Sequence, residues 1–284
     1  YLHHGETYFV ERLDLTEKNA YVRRIDADYY TNVVTETKIR LDATEEEGPW
    51  RESRLGFGDV TVTIFTLMFR KIKFYGQDSL GYGSLDLPPQ PLETNAMWLT
   101  PPTAALHAVR DVGRIPAEGL LGIANVLVDI IPLYVLCDGQ DIGCVVDSTA
   151  FGSPTLFIYD RYPGGLGFAH KAFELLQEVL EACVFLVHNC PCESGCPSCV
   201  GSTARSFVHY DAEGEARERI PDKEAALVIL HHLLGLEPYI PRPLSDEERT
   251  RRGEGTAELG SPIKRLPEHV EQKLRKRIKG LRGR

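Results

Sequence analysis

The sequence has no phosphate-binding P-loop, no DExH box and no Ser/His/Asp arrangement of recognisable spacing. Those absences exclude nucleotide hydrolysis by a standard phosphate loop and argue against a serine-type hydrolase. No stretch reads as the roughly 18 uninterrupted apolar residues that span a bilayer, so a membrane-spanning chain is not expected. The start lacks the charged, apolar and small-residue layout of a secretory signal. It opens on Tyr1 rather than methionine, and reads as a piece of a longer intracellular protein. Positive charge is also scarce: 32 lysines and arginines face 41 aspartates and glutamates, for a net charge of −9.

That deficit is uneven. Residues 242–284 hold 13 basic and 7 acidic side chains, a surplus of +6, which leaves 19 and 34 in the other 241 residues, or −15. An acidic body repels polyanions on average, so contact with nucleic acid requires a local patch, the tail, or another part of a parent protein. With 43% hydrophobic and 26% charged residues the 284-residue chain can bury a sizeable core, and about two domains is the expectation from length. No repeat of 20–50 residues is visible.

The pattern predicts an α+β protein in three parts. Residues 1–100 read as β-rich, with runs at Glu6 to Leu15, Asn19 to Tyr30, Thr35 to Leu41, Asp59 to Tyr75, Gly81 to Leu87 and Ala96 to Leu99. An acidic loop is expected at Glu45-Glu46-Glu47-Gly48-Pro49. A small antiparallel barrel or a curled sheet suits such short strands. Residues 101–240 read as a mixed α/β domain. Thr103 is placed to cap a helix to about Val112, and Pro116 opens another through Ile130. Short strands are expected at Leu133 to Cys137, Cys144 to Asp147 and Thr155 to Tyr159, then one long helix from about Gly167 to Val187, and another opened by Pro221 that ends near Gly235. Residues 241–284 read as a linker and a basic amphipathic helix, with Val270, Leu274, Ile278 and Leu281 at helical spacing.

Seven cysteines, four of them within ten residues, fit a secreted disulfide framework poorly. The cluster Cys190-Pro191-Cys192-Glu193-Ser194-Gly195-Cys196-Pro197-Ser198-Cys199 places four thiols where short loops, reversed at Gly195 and the two prolines, can bring them onto one tetrahedral ion. Zinc is the expected occupant. Four sulfurs close its shell, which makes the site structural rather than catalytic. Free thiols and an iron–sulfur cluster are the other readings of these residues. Cys183 continues the apolar face of Ala169, Ala172, Phe173, Leu176 and Val179, so it reads as helical core, although it and His188 lie near enough in sequence to compete as ligands. Cys137 and Cys144 read as packing residues.

Tyr159-Asp160-Arg161-Tyr162-Pro163-Gly164-Gly165-Leu166-Gly167 predicts a sharp strand-to-helix turn whose free N–H groups can receive a phosphate or carboxylate, or which simply packs strand on helix. Asp138, Asp141 and Asp147 read as turn or strand-end residues. His4-Gly5-Glu6 with the distant Pro191-Cys192 invites comparison with the zinc-deaminase pattern, but the next cysteine lies four positions on rather than three. In the tail, Lys273, Arg275, Lys276, Arg277 and Lys279 are the candidate nucleic-acid contacts, against a plain solvated helix face. Without aromatic residues there, binding is expected to be salt-sensitive and indifferent to sequence.

Tyr1-Leu2-His3-His4-Gly5-Glu6-Thr7-Tyr8, the Tyr159–Gly167 turn, the cysteine cluster and Pro221-Asp222-Lys223-Glu224-Ala225-Ala226-Leu227 together resemble, in order, the C-terminal region of the mitomycin repair factor A type of superfamily 2 DNA helicases, related to fungal RecQ-like enzymes. The resemblance reaches about residue 236 and does not cover the tail. It implies a non-catalytic, zinc-binding accessory region of an ATP-dependent 3′-to-5′ DNA helicase acting in DNA repair, with Cys190, Cys192, Cys196 and Cys199 as ligands. It further implies motor domains in cis holding ATP and Mg2+, DNA reached through the parent enzyme, no membrane partner, and a cytoplasmic, nucleoid-associated location. The stretch 201–220 departs from the family, carrying Glu213, Glu215 and Glu218, which argues against a DNA contact at that loop. The alternative expectation is a zinc-containing scaffold of a multi-protein DNA-processing or defence system without its own motor.

Overall fold

The computed structural model describes residues 1–75, 79–201 and 220–245, with the backbone of 209–210 and 216–217. Among these residues are antiparallel sheets and five α-helices, the α+β class expected. The chain divides into two compact units, one of Tyr1–Glu36 with Ile64–Gln90, the other of Thr37–Thr63 with the described residues from Pro91 onward. Thus 37–63 and 91–100, within the β-rich first hundred residues, group with the helices.

In the first unit β1 (Leu2–His3), β2 (Glu6–Asp14) and β3 (Asn19–Ile25) form a three-stranded sheet. The hairpin pairs Thr7 with Ile25 and Asp14 with Asn19, with a bulge between Val10 and Arg12. Its reversal includes Lys18 at φ 56°, and the Asp14 carboxylate accepts from the Thr16 and Glu17 amides. The outer ends of β4 (Tyr29–Trp50) and β5 (Ser53–Lys73) also lie here, and β6 (Ser79–Ser84) pairs with β5.

In the second unit the strand order is β4-β5-β7-β9-β8, with β7 at Gln90–Thr100, β8 at Ile142–Asp147 and β9 at Thr155–Asp160. None of the sheets among the described residues closes on itself, so they are open sheets and not a barrel. Alternation divides the side chains between two apolar layers. Met97, Leu99, Ile142, Leu156 and Ile158 join the larger core with the helices, while Ala96, Trp98, Val145, Phe157 and Tyr159 join a second layer with Val60, Val62 and Ile39. The glutamates of 45–49 lie within β4 rather than in a loop. The reversal falls instead beyond it, where Arg51 has φ 57°. An end strand accepts Pro49 and exposed charge because one of its edges needs no ladder partner.

The helices are α1 (Thr103–Asp111), α2 (Pro116–Ile130), α3 (Phe168–Glu174), α4 (Leu176–Asn189) and α5 (Lys223–Leu234). Thr103 begins α1 but makes no cap, since Pro102 holds that position. Pro116 opens α2, where its missing N–H leaves no bond unmade. Leu175, at φ −101° and ψ 19°, breaks the expected long helix into α3 and α4. The expected strand at 133–137 is a 3-10 turn over Ile131–Leu133 followed by bends, with Pro132 inside the turn.

Helix α2 packs against α4, α5 and β8, and most of its side chains are buried. Together with the 3-10 turn it forms Pro116–Leu133, the one helix among the described residues long and apolar enough to cross a membrane. The expectation that no such stretch exists is therefore corrected. The segment is 78% buried within the fold, so protein packing accounts for its apolarity.

Candidate metal centre

Helix α4 delivers the first cysteine. Its ladder ends at Asn189, and Cys190 leaves in an extended conformation. Gly195 then turns the chain at φ +123°, where a Cβ would lie 2.6 Å from the Pro221 carbonyl oxygen. A tight reversal follows, with the Cys199 and Val200 amides both donating to the Cys196 carbonyl at 3.1 Å.

These local bends bring together the Sγ atoms of Cys190, Cys192, Cys196 and Cys199, all within 4.8 Å of one another. Four of the six separations are 3.6 Å (190 to 192), 3.6 Å (190 to 196), 3.4 Å (192 to 199) and 3.7 Å (196 to 199). Zinc with four sulfurs at about 2.3 Å has tetrahedral edges of about 3.8 Å. These four separations lie within about 0.4 Å of a tetrahedral edge, so the donor set suits a tetrahedral, thiophilic ion. The Cys196 amide donates to Cys199 Sγ at 3.4 Å, which suits a sulfur carrying negative charge.

The thiols are unequal. Burial pushes Cys192 and Cys199 above the ordinary thiol value. Burial also acts upward on Cys196, but hydrogen bonds from the Ser198 backbone and neighbouring thiols outweigh it and bring Cys196 down to about 7. An incoming ion must displace the protons held by the raised thiols.

A second ring of contacts holds the loop by its backbone. Lys223 Nζ donates to the carbonyls of Cys190 at 2.7 Å and Cys192 at 2.9 Å, and the Lys223 amide donates to Ser194 O. Arg242 Nε reaches Glu193 O at 3.2 Å, and Asn125 Nδ2, from the buried side of α2, donates to Val200 O at 3.0 Å. Asp222 caps α5 by accepting from the Glu224 and Ala225 amides. It also pairs with Arg114, both side chains being fully buried and both carboxylate oxygens lying 2.8 Å from Arg114 Nη1. Arg114 Nη2 donates to the Arg242 carbonyl, while Glu224 accepts from the Arg242 amide and from the Tyr239 hydroxyl. Sequence reasoning did not find Asn125, Arg114, Lys223 or Arg242 as supports. The available signal was the charged Asp222-Lys223-Glu224 triplet set directly before an apolar helix.

Other candidates resolve individually. Cys183 is fully buried in the core, and burial pushes its thiol well up. Cys137 and Cys144 pack against that core. Burial, and then Asp141, raise Cys137. The glycine turn does gather N–H groups, but the chain supplies their anion: the buried Asp160 carboxylate accepts from the amides of Leu166 (2.6 Å), Gly167 (2.8 Å), Phe168 (3.2 Å) and Ala169 (2.7 Å). Asp141 accepts from the Asp138 amide and the Tyr162 hydroxyl, and Asp147 accepts from Thr149, as turn residues do. The Tyr162 bond holds Asp141 below the usual carboxylate range. His188 stacks edge-on against Tyr239. His4 sits in the β1–β2 turn, and Glu6 bonds Tyr8 and Arg24. Among the described residues, the four cysteines are the one grouping of three or more metal-binding side chains. Lys273, Arg275, Lys276, Arg277 and Lys279 lie outside the described residues, as does most of 201–220.

Residues 123–200 match the family described as the MrfA Zn-binding domain. The chain is 40% identical over 226 residues to the uncharacterized ATP-dependent helicase YprA of Bacillus subtilis, covering 78% of this chain and 28% of that one. It is 26% identical over 251 residues to the ATP-dependent helicase HRQ1 of Saccharomyces cerevisiae, covering 83% and 22%. A crystal structure of the DUF1998 helicase MrfA bound to DNA superposes with a TM-score of 0.54 at 35% identity, covering 82% of this chain and 29% of that one. The chain thus spans between a fifth and a third of the length of these relatives, and its match lies in their C-terminal region.

Proposed function

We propose, from the premise that this chain belongs to the MrfA-type helicases as their C-terminal, zinc-binding region, that it is a non-catalytic accessory part of an ATP-dependent 3′-to-5′ DNA helicase acting in DNA repair. In this reading Cys190, Cys192, Cys196 and Cys199 bind one structural zinc ion. Motor domains in the same polypeptide bind ATP and Mg2+, and DNA is engaged through the whole enzyme. The carrying observation is the cluster of four sulfurs at near-tetrahedral separations, gripped through its backbone by α2, α5 and Arg242. Four sulfurs fill a zinc shell and leave no position for a water nucleophile, so the ion serves architecture. The lack of a P-loop and a DExH box in the sequence supports the reading that the motor chemistry belongs to other parts of the polypeptide. DNA in the related MrfA structure supports the DNA partner.

Replacing Cys196 and Cys199 with serine in the full-length helicase should release zinc and impair unwinding of a duplex with a 3′ single-stranded tail, while the parent enzyme fails on a 5′ tail. Retention of both zinc and unwinding by the double variant overturns the assignment. The tail residues Lys273, Arg275, Lys276, Arg277 and Lys279 are assigned a sequence-indifferent hold on DNA phosphates. Truncation after residue 267 should lower DNA affinity and flatten its salt dependence. An unchanged salt slope removes that role.

A further inference from the structure

A closed four-sulfur shell leaves a charge to be balanced. A divalent ion bound by four thiolates carries a net charge of about −2, in a site where Cys199 is buried and the other three cysteines are half-buried. A buried charge is tolerated when an opposite charge or several strong hydrogen bonds accompany it.

Lys223 presents the complementary problem. It lies in the first turn of α5 and is only 6% exposed, although lysine is among the residues least often buried unpaired. Its acidic neighbours turn elsewhere: Asp222 holds Arg114 and caps the helix, and Glu224 accepts from Tyr239 and Arg242. Among the described residues no carboxylate lies within ion-pair distance of Lys223. Its Nζ instead donates to the carbonyls of Cys190 and Cys192. Those carbonyls satisfy hydrogen bonds but bring no net charge.

We propose that Lys223 is the counter-cation of the metal centre, a buried positive charge on the backbone of two ligands that offsets part of the shell's negative charge and orients their peptides. The inference rests on the reading of the four cysteines as zinc ligands. Lys223 is a positioning residue, since it touches the ligands' peptides and not the ion. The coupling is reciprocal. Removing the ion takes away the opposite charge at the start of α5, where the Asp222 cap, the Arg114 pair and the Arg242 strap converge. Metal occupancy and docking of that helix end are therefore linked.

The test uses the zinc-loaded 284-residue chain with Lys223→Met, which keeps length and removes charge, and Lys223→Arg, which keeps charge. Zinc affinity is read by competition with a chromophoric chelator at fixed pH and ionic strength. Lys223→Met should bind zinc roughly 10- to 100-fold more weakly, and Lys223→Arg should recover most of that loss. Equal weakening by both substitutions, or none by Lys223→Met, overturns the proposal.

A second measurement needs no variant. Stripping zinc from the unmodified chain should raise hydrogen exchange at the Glu224 and Ala225 amides before the middle of α5, and unchanged protection there counts against the link. If the unmodified chain holds no zinc, the metal reading itself fails. If it holds zinc and Lys223→Met holds it equally well, only the counter-cation fails.

Discussion

Replacing Asp160 with alanine isolates one device in the fold and gives a worked magnitude. The Asp160 carboxylate, fully buried at the end of β9, accepts four amide bonds from Leu166 to Ala169 and so fixes the glycine turn to the start of α3. Alanine leaves those donors without an acceptor. The Ala169 amide is in a buried bond, and an orphaned buried donor costs about 1–3 kcal/mol. The other three bonds are partly buried, where water can replace the carboxylate, and each loses about 0.5–1 kcal/mol. Allowing for non-additivity, the loss is about 3–5 kcal/mol, or a melting shift of about 10 °C for a domain of this size. Thermal unfolding followed by circular dichroism, with zinc stoichiometry measured in parallel, reads both effects. Zinc should stay bound, because Asp160 belongs to the turn and not to the cysteine loop. Asp160→Asn, which keeps one acceptor oxygen, should fall between the two. A melting temperature for Asp160→Ala within about 2 °C of the parent, under 1 kcal/mol by the same conversion, refutes the assignment of the carboxylate as the turn's internal anion.

Arg114→Met leaves Asp222 buried without its cation and should destabilise the chain by about 3–5 kcal/mol, measured by urea unfolding; Arg114→Met together with Asp222→Asn, which removes the unpaired charge and keeps an oxygen for the α5 cap, should recover part of the loss. Gly195→Ala forces a side chain into φ +123° against the Pro221 carbonyl and should lower stability by about 1–3 kcal/mol, with faster zinc release to a chelator. Zinc affinity should rise with pH. Burial raises Cys192 and Cys199, so the ion must displace their protons at neutral pH, and acidification, which also protonates Cys196 below about 7, should release the metal. A pH-independent affinity contradicts that sign. Cys183, whose thiol burial pushes up, should resist alkylation until the chain is unfolded, whatever the metal content.

The sequence revealed those parts whose determinants are local. Pro116 marked the start of α2, Gly235 the end of α5, and a short apolar β-type run marked β9, because each signal acts over a few residues. The cysteine cluster was legible for the same reason: its four donors lie within ten residues and their loops need no distant partner to close. Failures came where tertiary context decided. The glutamates at 45–47 and Pro49 resembled a loop, yet they occupy a strand whose place at the end of the sheet tolerates both. Leu175 interrupts a helix with neither proline nor glycine to announce it. The apolar run at 133–137 followed a strand pattern, but the 3-10 turn containing Pro132 took it out of any ladder. The supports of the metal loop were hidden differently. Asn125, Arg114, Lys223 and Arg242 come from distant parts of the chain, and a lysine or arginine normally reads as a solvated surface residue. Only the fold shows that this lysine faces two cysteine carbonyls.

Zinc K-edge X-ray absorption on freshly purified, reduced protein, combined with elemental analysis, tests the central claim most directly. It should give one zinc per chain with four sulfur neighbours at about 2.3 Å and no oxygen or nitrogen in the shell. Absence of the metal, or a shell containing a bound water, would contradict a closed architectural centre.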